Sequence, residues 1–131
     1  MSAPVLLKGS LLTGRRVLIV EDEYFLADDI ARACRALGAE IEGPFSDGDD
    51  AQARLNGGLR KVDGAVLDVN LRSASVFPVA RMLRSLGVRF VFTTGHDRSV
   101  IDPEFGDVPL WEKPLDVATM TRKLSELILR H

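Results

Sequence analysis

Short runs of β-branched and other apolar residues alternate along the chain with longer segments in which apolar residues recur at helical spacing. This alternation is typical of repeated βα units that feed a parallel sheet. The first, third and fourth apolar runs are continuous, as expected for strands covered on both faces. The second run alternates polar and apolar residues and the fifth contains Pro109, so both are predicted at the sheet edges. The five predicted strands cover residues 17–20, 39–43, 62–68, 88–93 and 107–111.

With the second and fifth strands outermost and right-handed crossovers between strands, the predicted strand order is 2-1-3-4-5. This is the flavodoxin-like doubly wound α/β fold. The predicted helices cover residues 24–37, 47–56, 75–86 and 117–130, and Asp116 is expected to cap the last of them.

The fourth crossover falls in residues 95–106, where Pro103 and two glycines leave room for about two helical turns. A short or irregular fourth helix with weak order is therefore predicted. In the helix before it, Arg81 and Arg84 are predicted on the solvent-exposed face. The apolar stripe of that helix consists of Val76, Val79, Leu83 and Leu86.

Composition places the chain among single globular domains. It has 131 residues, of which 46% are hydrophobic, and 17 basic against 19 acidic side chains give a net charge of −2. We expect residues 1–14 to be a loose N-terminal extension and residues 15–131 to form the domain. The chain contains no run of basic residues of the kind that binds nucleic acid, so direct nucleic-acid binding is not expected.

The single cysteine, Cys34, excludes an internal disulfide and is predicted to be a small core residue. A reducing cytoplasm is the expected location. Apolar runs fall far short of the roughly 18 residues that span a membrane, so no membrane segment is predicted.

Acidic side chains follow two strands that the predicted order makes neighbours. Glu21 and Asp22 end the first strand and Asp68 ends the third, at the point where the winding direction of the sheet reverses. Carboxylates about 5 Å apart repel one another by roughly 3 kcal/mol at an effective dielectric near 20, so the cluster must take up a proton or a cation. Carboxylate oxygens with a backbone carbonyl after the third strand are hard ligands that suit Mg²⁺.

Two further groups are predicted at the same rim. Thr94 and Gly95 follow the fourth strand, and Lys113 follows the fifth, with Pro114 constraining the chain behind it. A carboxylate nucleophile, a divalent cation, a hydroxyl and an ammonium group are the components of phosphoryl transfer to an aspartate. In this interpretation Asp68 attacks phosphorus, Lys113 and the metal neutralise charge, and Thr94 holds a phosphoryl oxygen.

Four motifs in this order resemble the receiver domain of bacterial two-component response regulators, over nearly the whole chain from Arg15 onwards. They are VLIVEDE at 17–23, AVLDVNL at 65–71, FTTG at 92–95 and EKPL at 112–115. The FTTG motif resembles a subclass with Phe-x-Thr-Gly. The resemblance implies that Asp68 is the phosphoacceptor, that Thr94 is the switch residue and that Lys113 contacts the phosphate.

The resemblance also implies the metal ligands. Asp22 is expected to bind Mg²⁺ directly, Glu21 through water, Asp68 through its carboxylate and Asn70 through its backbone carbonyl. The phosphodonor is expected to be a histidine kinase or a histidine phosphotransfer protein, and the output a contact with a downstream protein.

The sequence departs from the family at residues that follow the fourth strand and at residues of the fifth strand. Receivers commonly carry an aromatic residue three places before the lysine, where this chain has Leu110, and Trp111 is predicted on the opposite face of the strand. His96 and Asp97 replace the hydrophobic residue and tyrosine of the subclass motif. His96 lies two places after the switch threonine, a position that influences phosphoryl lifetime in receivers.

The predicted function is a stand-alone, monomeric or weakly dimeric receiver that is phosphorylated on Asp68 with Mg²⁺, and not a classical enzyme. One alternative is a receiver-like binding module that signals without phosphorylation, suggested by Leu110. A hydrolase that works through an aspartyl-phosphate is a second alternative, although such enzymes carry an aspartate where Asn70 stands. A flavin-binding protein is disfavoured because the acidic strand ends would repel the flavin phosphate.

Overall fold

One parallel sheet organises the residues that the computed structural model describes, which are 11–58, 61–95 and 101–130. The strand order is β2-β1-β3-β4-β5, which confirms the predicted topology and both edge assignments. The strands are β1 (Arg16–Val20), β2 (Glu40–Phe45), β3 (Gly64–Asp68), β4 (Arg89–Thr94) and β5 (Leu110–Glu112). The helices are α1 (Tyr24–Ala36), α2 (Gly48–Asn56), α3 (Phe77–Ser85) and α4 (Val117–Leu129), with a 3-10 turn at Pro103–Phe105.

Helices cover both faces of the sheet, and alternate strand residues divide between two apolar cores. Val17 and Ile19 of β1 pack on the side of α1 and α4, whereas Leu18 and Val20 pack on the side of α2 and α3. Every residue of β3 is buried because this strand is central and covered on both sides. Cys34 of α1 is buried in the core on the side of α1 and α4, as predicted.

The edge strand β2 extends two residues beyond its predicted end at Gly43, through Pro44 and Phe45. Its register with β1 shifts between Leu18 and Val20, and the Gly43–Pro44 peptide is cis. Gly43 has φ of +98°, and a Cβ atom there would lie 2.7 Å from the Phe45 nitrogen. An edge position tolerates this irregularity because one side of the strand has no ladder to maintain.

The other edge strand begins later than predicted, at Leu110 rather than residue 107. Pro109 precedes it, and its carbonyl accepts a hydrogen bond from the Phe92 N–H at 2.9 Å. Leu110 packs on the core beneath α2 and α3, and Trp111 packs on the core beneath α1 and α4. The predicted division of these two side chains between opposite faces is therefore confirmed.

The fourth crossover is irregular, as predicted, and within residues 101–106 its only helical part is the 3-10 turn. The expectation of weak order is wrong for these residues, because Ile101 is 6% exposed and Phe105 is fully buried. The phenyl ring of Phe105 stacks on Phe77, with ring centroids 5.5 Å apart. His96 and Asp97 lie outside the described residues.

Arg81 and Arg84 lie on the solvent-exposed face of α3, as predicted, and their guanidinium groups also hold the same segment. The Arg81 guanidinium donates two hydrogen bonds to Glu104 Oε1, at 3.0 and 2.8 Å. The Arg84 guanidinium donates to Asp107 Oδ1 at 2.9 Å and lies 5.1 Å from the Phe105 ring centroid. Sequence spacing could not show this, because the acceptors lie about twenty residues further along the chain.

The end of α3 also differs from the prediction. Val76, Val79 and Leu83 are buried, but Leu86 is 59% exposed. The helix ends at Ser85, and Gly87 turns the chain away with φ of +74°. Leu86 therefore lies at the helix end and not on its apolar stripe.

The chain before β1 packs closely where the structure describes it. Leu12 is fully buried, and its N–H donates to the Leu37 carbonyl at 2.7 Å. Residues 1–10 lie outside the described part, so the boundary at residue 15 stays a prediction. At the other end of the chain, the Asp116 carboxylate accepts a hydrogen bond from the Thr119 N–H at 3.1 Å and caps α4, as predicted. No helix in the described ranges has the length and apolar character needed to cross a membrane.

Candidate phosphoacceptor and metal site

Three carboxylates meet at the carboxyl edge of the sheet because β1 and β3 are neighbours, with Val20 opposite Leu67. The ligand oxygens of Glu21, Asp22 and Asp68 all lie within 4.8 Å of one another. Glu21 and Asp68 are 2% and 1% exposed, whereas Asp22 is half-buried. The predicted acidic cluster therefore exists, and its members Asp22 and Asp68 line a cavity of about 390 Å³.

The Glu21 carboxylate is buried and only partly hydrogen-bonded. Its Oε2 accepts the Glu23 N–H at 3.0 Å, but its buried Oε1 has no hydrogen-bond partner among the described residues. Burial, reinforced by the charge of Asp68, raises the pKa of Glu21 to about 7. This side chain needs either a proton or a cation to offset its charge.

Asp68 is held from two directions. Its Oδ1 accepts the Asn70 N–H at 2.8 Å, and its Oδ2 lies 3.3 Å from Lys113 Nζ. The first contact fixes the turn after β3, and the second brings a positive charge to the carboxylate. Both contacts orient Asp68 at the edge of the cavity.

Lys113 reaches the cluster because its backbone extends the pairing of β5 with β4. Its N–H donates to the Thr94 carbonyl at 2.7 Å, and the following Lys113–Pro114 peptide is cis. Its Nζ also contacts Glu21 Oε2 at 3.2 Å and Glu23 Oε2 at 2.9 Å. Burial lowers the pKa of Lys113, but the hydrogen bond that its ammonium group donates to Glu23 and the charges of Asp68 and Glu21 outweigh burial and raise the pKa overall.

The Thr94 hydroxyl bonds to the side chain of Asn70. It donates to Asn70 Oδ1 at 2.9 Å, and the Gly95 N–H donates to the same oxygen at 2.8 Å. The loops after β3 and β4 are thus joined through one amide side chain. Every residue predicted for the site lies at this edge of the sheet.

Two residues of the site were not predicted. Glu23 supplies the carboxylate closest to Lys113 Nζ, and Arg72 contacts Asp22, with its backbone N–H at 3.0 Å and its Nε at 3.2 Å from Asp22 Oδ2. Glu23 stands within the motif at 17–23, so its position after two acidic residues was a usable signal. Arg72 gave none, because it belongs to an irregular loop and its partner lies fifty residues earlier.

The donor set fits a divalent cation such as Mg²⁺. Four carboxylates, of Glu21, Asp22, Glu23 and Asp68, face the two cations Lys113 and Arg72 within the part of the chain that the structure describes. The oxygens are hard ligands, and Glu21 Oε1 is buried without a partner. The cluster therefore retains negative charge that a hard cation would neutralise.

Comparison with known proteins finds matches among solved structures. No family model and no curated protein matches the chain. The solution structure of SdrG from Sphingomonas melonis Fr1 is 33% identical and matches with a TM-score of 0.74, over 92% of this chain and 99% of that one. A response regulator receiver domain (CheY-like) from Methylobacillus flagellatus is 25% identical, with a TM-score of 0.69 over 86% of this chain and 98% of its own.

A second structure of SdrG, from Pseudomonas melonis Fr1, is of its BeF3-activated conformation. It is 33% identical and matches with a TM-score of 0.69, over 87% of this chain and 96% of that one. The likeness therefore extends over nearly the full length of each of these chains.

Proposed function

Since the chain belongs to the receiver domains of response regulators, which are signalling proteins rather than classical enzymes, we propose that it accepts a phosphoryl group on Asp68. The observation that carries this proposal is the setting of Asp68. Its carboxylate lies between the Asn70 N–H and Lys113 Nζ, beside the carboxylates of Glu21 and Asp22.

In the proposed transfer, an Asp68 oxygen forms a bond to phosphorus while the bond from phosphorus to a histidine nitrogen of the donor breaks. The electron pair of the broken bond stays on the imidazole nitrogen, which then takes up a proton. Lys113 balances the charge of the phosphoryl oxygens, because its ammonium group already lies 3.3 Å from Asp68 Oδ2. The Thr94 hydroxyl exchanges its hydrogen bond to Asn70 for one to a phosphoryl oxygen.

Mg²⁺ would be held by Glu21, Asp22, Asp68 and the backbone carbonyl of Asn70, and would supply positive charge that offsets the carboxylates and the incoming phosphoryl group. The residues of this chain keep their own roles beside it. With the metal bound, Glu21 would be a charged carboxylate, having released any proton to water, and Asp22 would be a metal ligand.

A protein phosphodonor must reach this cavity, and the family to which the chain belongs interacts with histidine kinases. Tyr24 and Phe25, at the start of α1, are 77% and 82% exposed. They directly follow Glu23, whose carboxylate contacts Lys113. This exposed aromatic pair supports docking of a histidine kinase or phosphotransfer protein at the same end of the sheet.

Labelling with a small phosphodonor tests the assignment of Asp68. Acetyl phosphate with Mg²⁺ is expected to add one acid-labile phosphoryl group to the wild type and to Asp29→Asn, a control at an exposed position of α1. Asp68→Asn is expected to add none, because the amide is a poor nucleophile. Intact-protein mass spectrometry measures the outcome, and labelling that persists in Asp68→Asn would show that the phosphoacceptor is another residue.

A receiver-like binding module that does not use phosphorylation is the second candidate, favoured by Leu110. This side chain packs on the same core as Phe92 and Phe105, and no aromatic ring is available at that position to follow Thr94. Since an SdrG structure represents a BeF3-activated conformation, beryllofluoride is the appropriate probe. Amide NMR shifts around Asp68 and Thr94 on adding Mg²⁺ and beryllofluoride are expected for a phosphoacceptor, and an unchanged spectrum would favour the binding module.

A further inference from the structure

Arg72 occupies the carboxylate that the proposed metal site needs most. We propose that Arg72 competes with the divalent cation for Asp22 and so weakens metal binding until the metal displaces it. This inference rests on the proposed metal site and assigns a role to a residue outside it. Arg72 would then be a positioning residue that holds Asp22 in the metal-free protein.

The contacts between these residues are directed and concentrated on one oxygen. The Arg72 backbone N–H donates to Asp22 Oδ2 at 3.0 Å, and the side-chain Nε donates to the same oxygen at 3.2 Å. A second guanidinium nitrogen lies 3.4 Å from the Asp22 backbone carbonyl oxygen. Through Nε, the guanidinium therefore takes up a lone pair of Oδ2 that a metal ion would use.

The two cations of the site divide the carboxylates between them. Lys113 contacts Glu21, Glu23 and Asp68, and Arg72 contacts Asp22. A divalent ion bound to Asp22 would repel a guanidinium held against the same carboxylate oxygen, because both carry positive charge. Either the ion or the guanidinium can occupy Asp22 Oδ2, but not both.

Exposure indicates which cation gives way. The Arg72 side chain is 82% exposed, whereas the Lys113 side chain is 17% exposed. Arg72 can swing into water without losing a packed environment, and its guanidinium stays solvated after it leaves. Lys113 has three carboxylate contacts to lose, so Arg72 is the cation that moves.

Magnesium titrations of the full chain test this inference by calorimetry and NMR. Arg72→Ala is expected to bind Mg²⁺ about two- to fivefold more tightly than the wild type, the range expected for loss of one exposed ion pair. Arg72→Gln, which keeps a donor but loses the charge, is expected to fall between the two. The control is Arg32→Ala, which removes a 75% exposed arginine that pairs with Asp28 on α1.

A second measurement separates displacement from a general effect of charge. The Arg72 Nε–H resonance of the wild type is expected to move toward the position of a solvated arginine as Mg²⁺ saturates the protein. Equal affinities of Arg72→Ala and Arg32→Ala, or an Arg72 resonance unaffected by saturating Mg²⁺, would overturn the inference. Failure of the wild type and all variants to bind Mg²⁺ would overturn the proposed metal site and this inference with it.

Discussion

Glu21 shows how one buried side chain makes stability depend on pH. Its pKa in the fold is about 7 because burial and Asp68 disfavour the charged form, compared with an ordinary value of 4.5. The folded protein therefore binds more protons than the unfolded chain between these values. It follows that the contribution of Glu21 to stability is present below the lower value and is lost as pH rises through the higher one.

We expect the unfolding free energy of the metal-free protein to fall between pH about 5 and pH about 8, and Glu21→Gln to remove part of this fall. Urea unfolding at a series of pH values, in the presence of a chelator, measures the unfolding free energy. Glu126→Gln, at an exposed position of α4, is the matched control and should keep the wild-type slope. An identical slope for Glu21→Gln and the wild type would show that Glu21 is charged in both states.

Thr93 is a buried residue whose side-chain oxygen has no hydrogen-bond partner among the described residues. Thr93→Val removes a desolvated hydroxyl and keeps the shape of the side chain, so we expect the unfolding free energy to rise by about 1 kcal/mol. Thr121→Val is the matched contrast, because the Thr121 hydroxyl donates to the Val117 carbonyl at 2.9 Å. Urea denaturation should show a lower unfolding free energy for Thr121→Val than for the wild type. A similar decrease for Thr93→Val would mean that the Thr93 hydroxyl has a hydrogen-bond partner.

At the scale of elements, the fourth crossover shows where local reasoning fails. Pro103 and the nearby glycines indicated a short helix, and the described residues 101–106 contain one 3-10 turn. Weak order did not follow in residues 101–106, because tertiary contacts hold them. Phe105 fills the core, and the arginines of α3 bind Glu104 and Asp107.

Phe105→Ala tests how much this anchor contributes. The ring is fully buried, stacked on Phe77 and 5.6 Å from the Phe92 ring centroid, so its loss leaves a cavity. We expect the unfolding free energy to fall by about 3 to 5 kcal/mol. Phe25→Ala, at an 82% exposed position, should change it by less than about 0.5 kcal/mol in the same urea titration. Equal, small changes in unfolding free energy for the two variants would show that the Phe105 ring does not anchor the 3-10 turn.

For the strands, the predicted order was right and the predicted ends of the edge strands were wrong. The order of the sheet followed from which strands were apolar throughout and which were not, and it is confirmed. The ends of the edge strands were wrong by two or three residues, at Phe45 and Leu110. Edge strands have one partner, so their limits depend on a bulge or a proline carbonyl that hydrophobic pattern does not encode.

At the scale of the whole molecule, the doubly wound sheet brings together groups from the ends of four strands. Glu21 and Lys113 directly follow β1 and β5, and Asp68 and Thr94 are the last residues of β3 and β4, so all four lie at the edge where the parallel strands end. Their convergence was predicted from sequence because position at a strand end is a local property. The contacts made by each side chain depend on loop conformation and were not predicted.

The sequence by itself determined the elements, the order of the sheet and the edge at which the polar strand ends collect. These depend on the period of apolar residues and on the handedness of crossovers, both of which are local or general rules. Only the tertiary structure decided that Arg72 holds Asp22, that Glu23 contacts Lys113 and that α3 holds the 3-10 turn. Such pairs lie between 23 and 90 residues apart and repeat with no period, so they form only when packing fixes the loops that carry them.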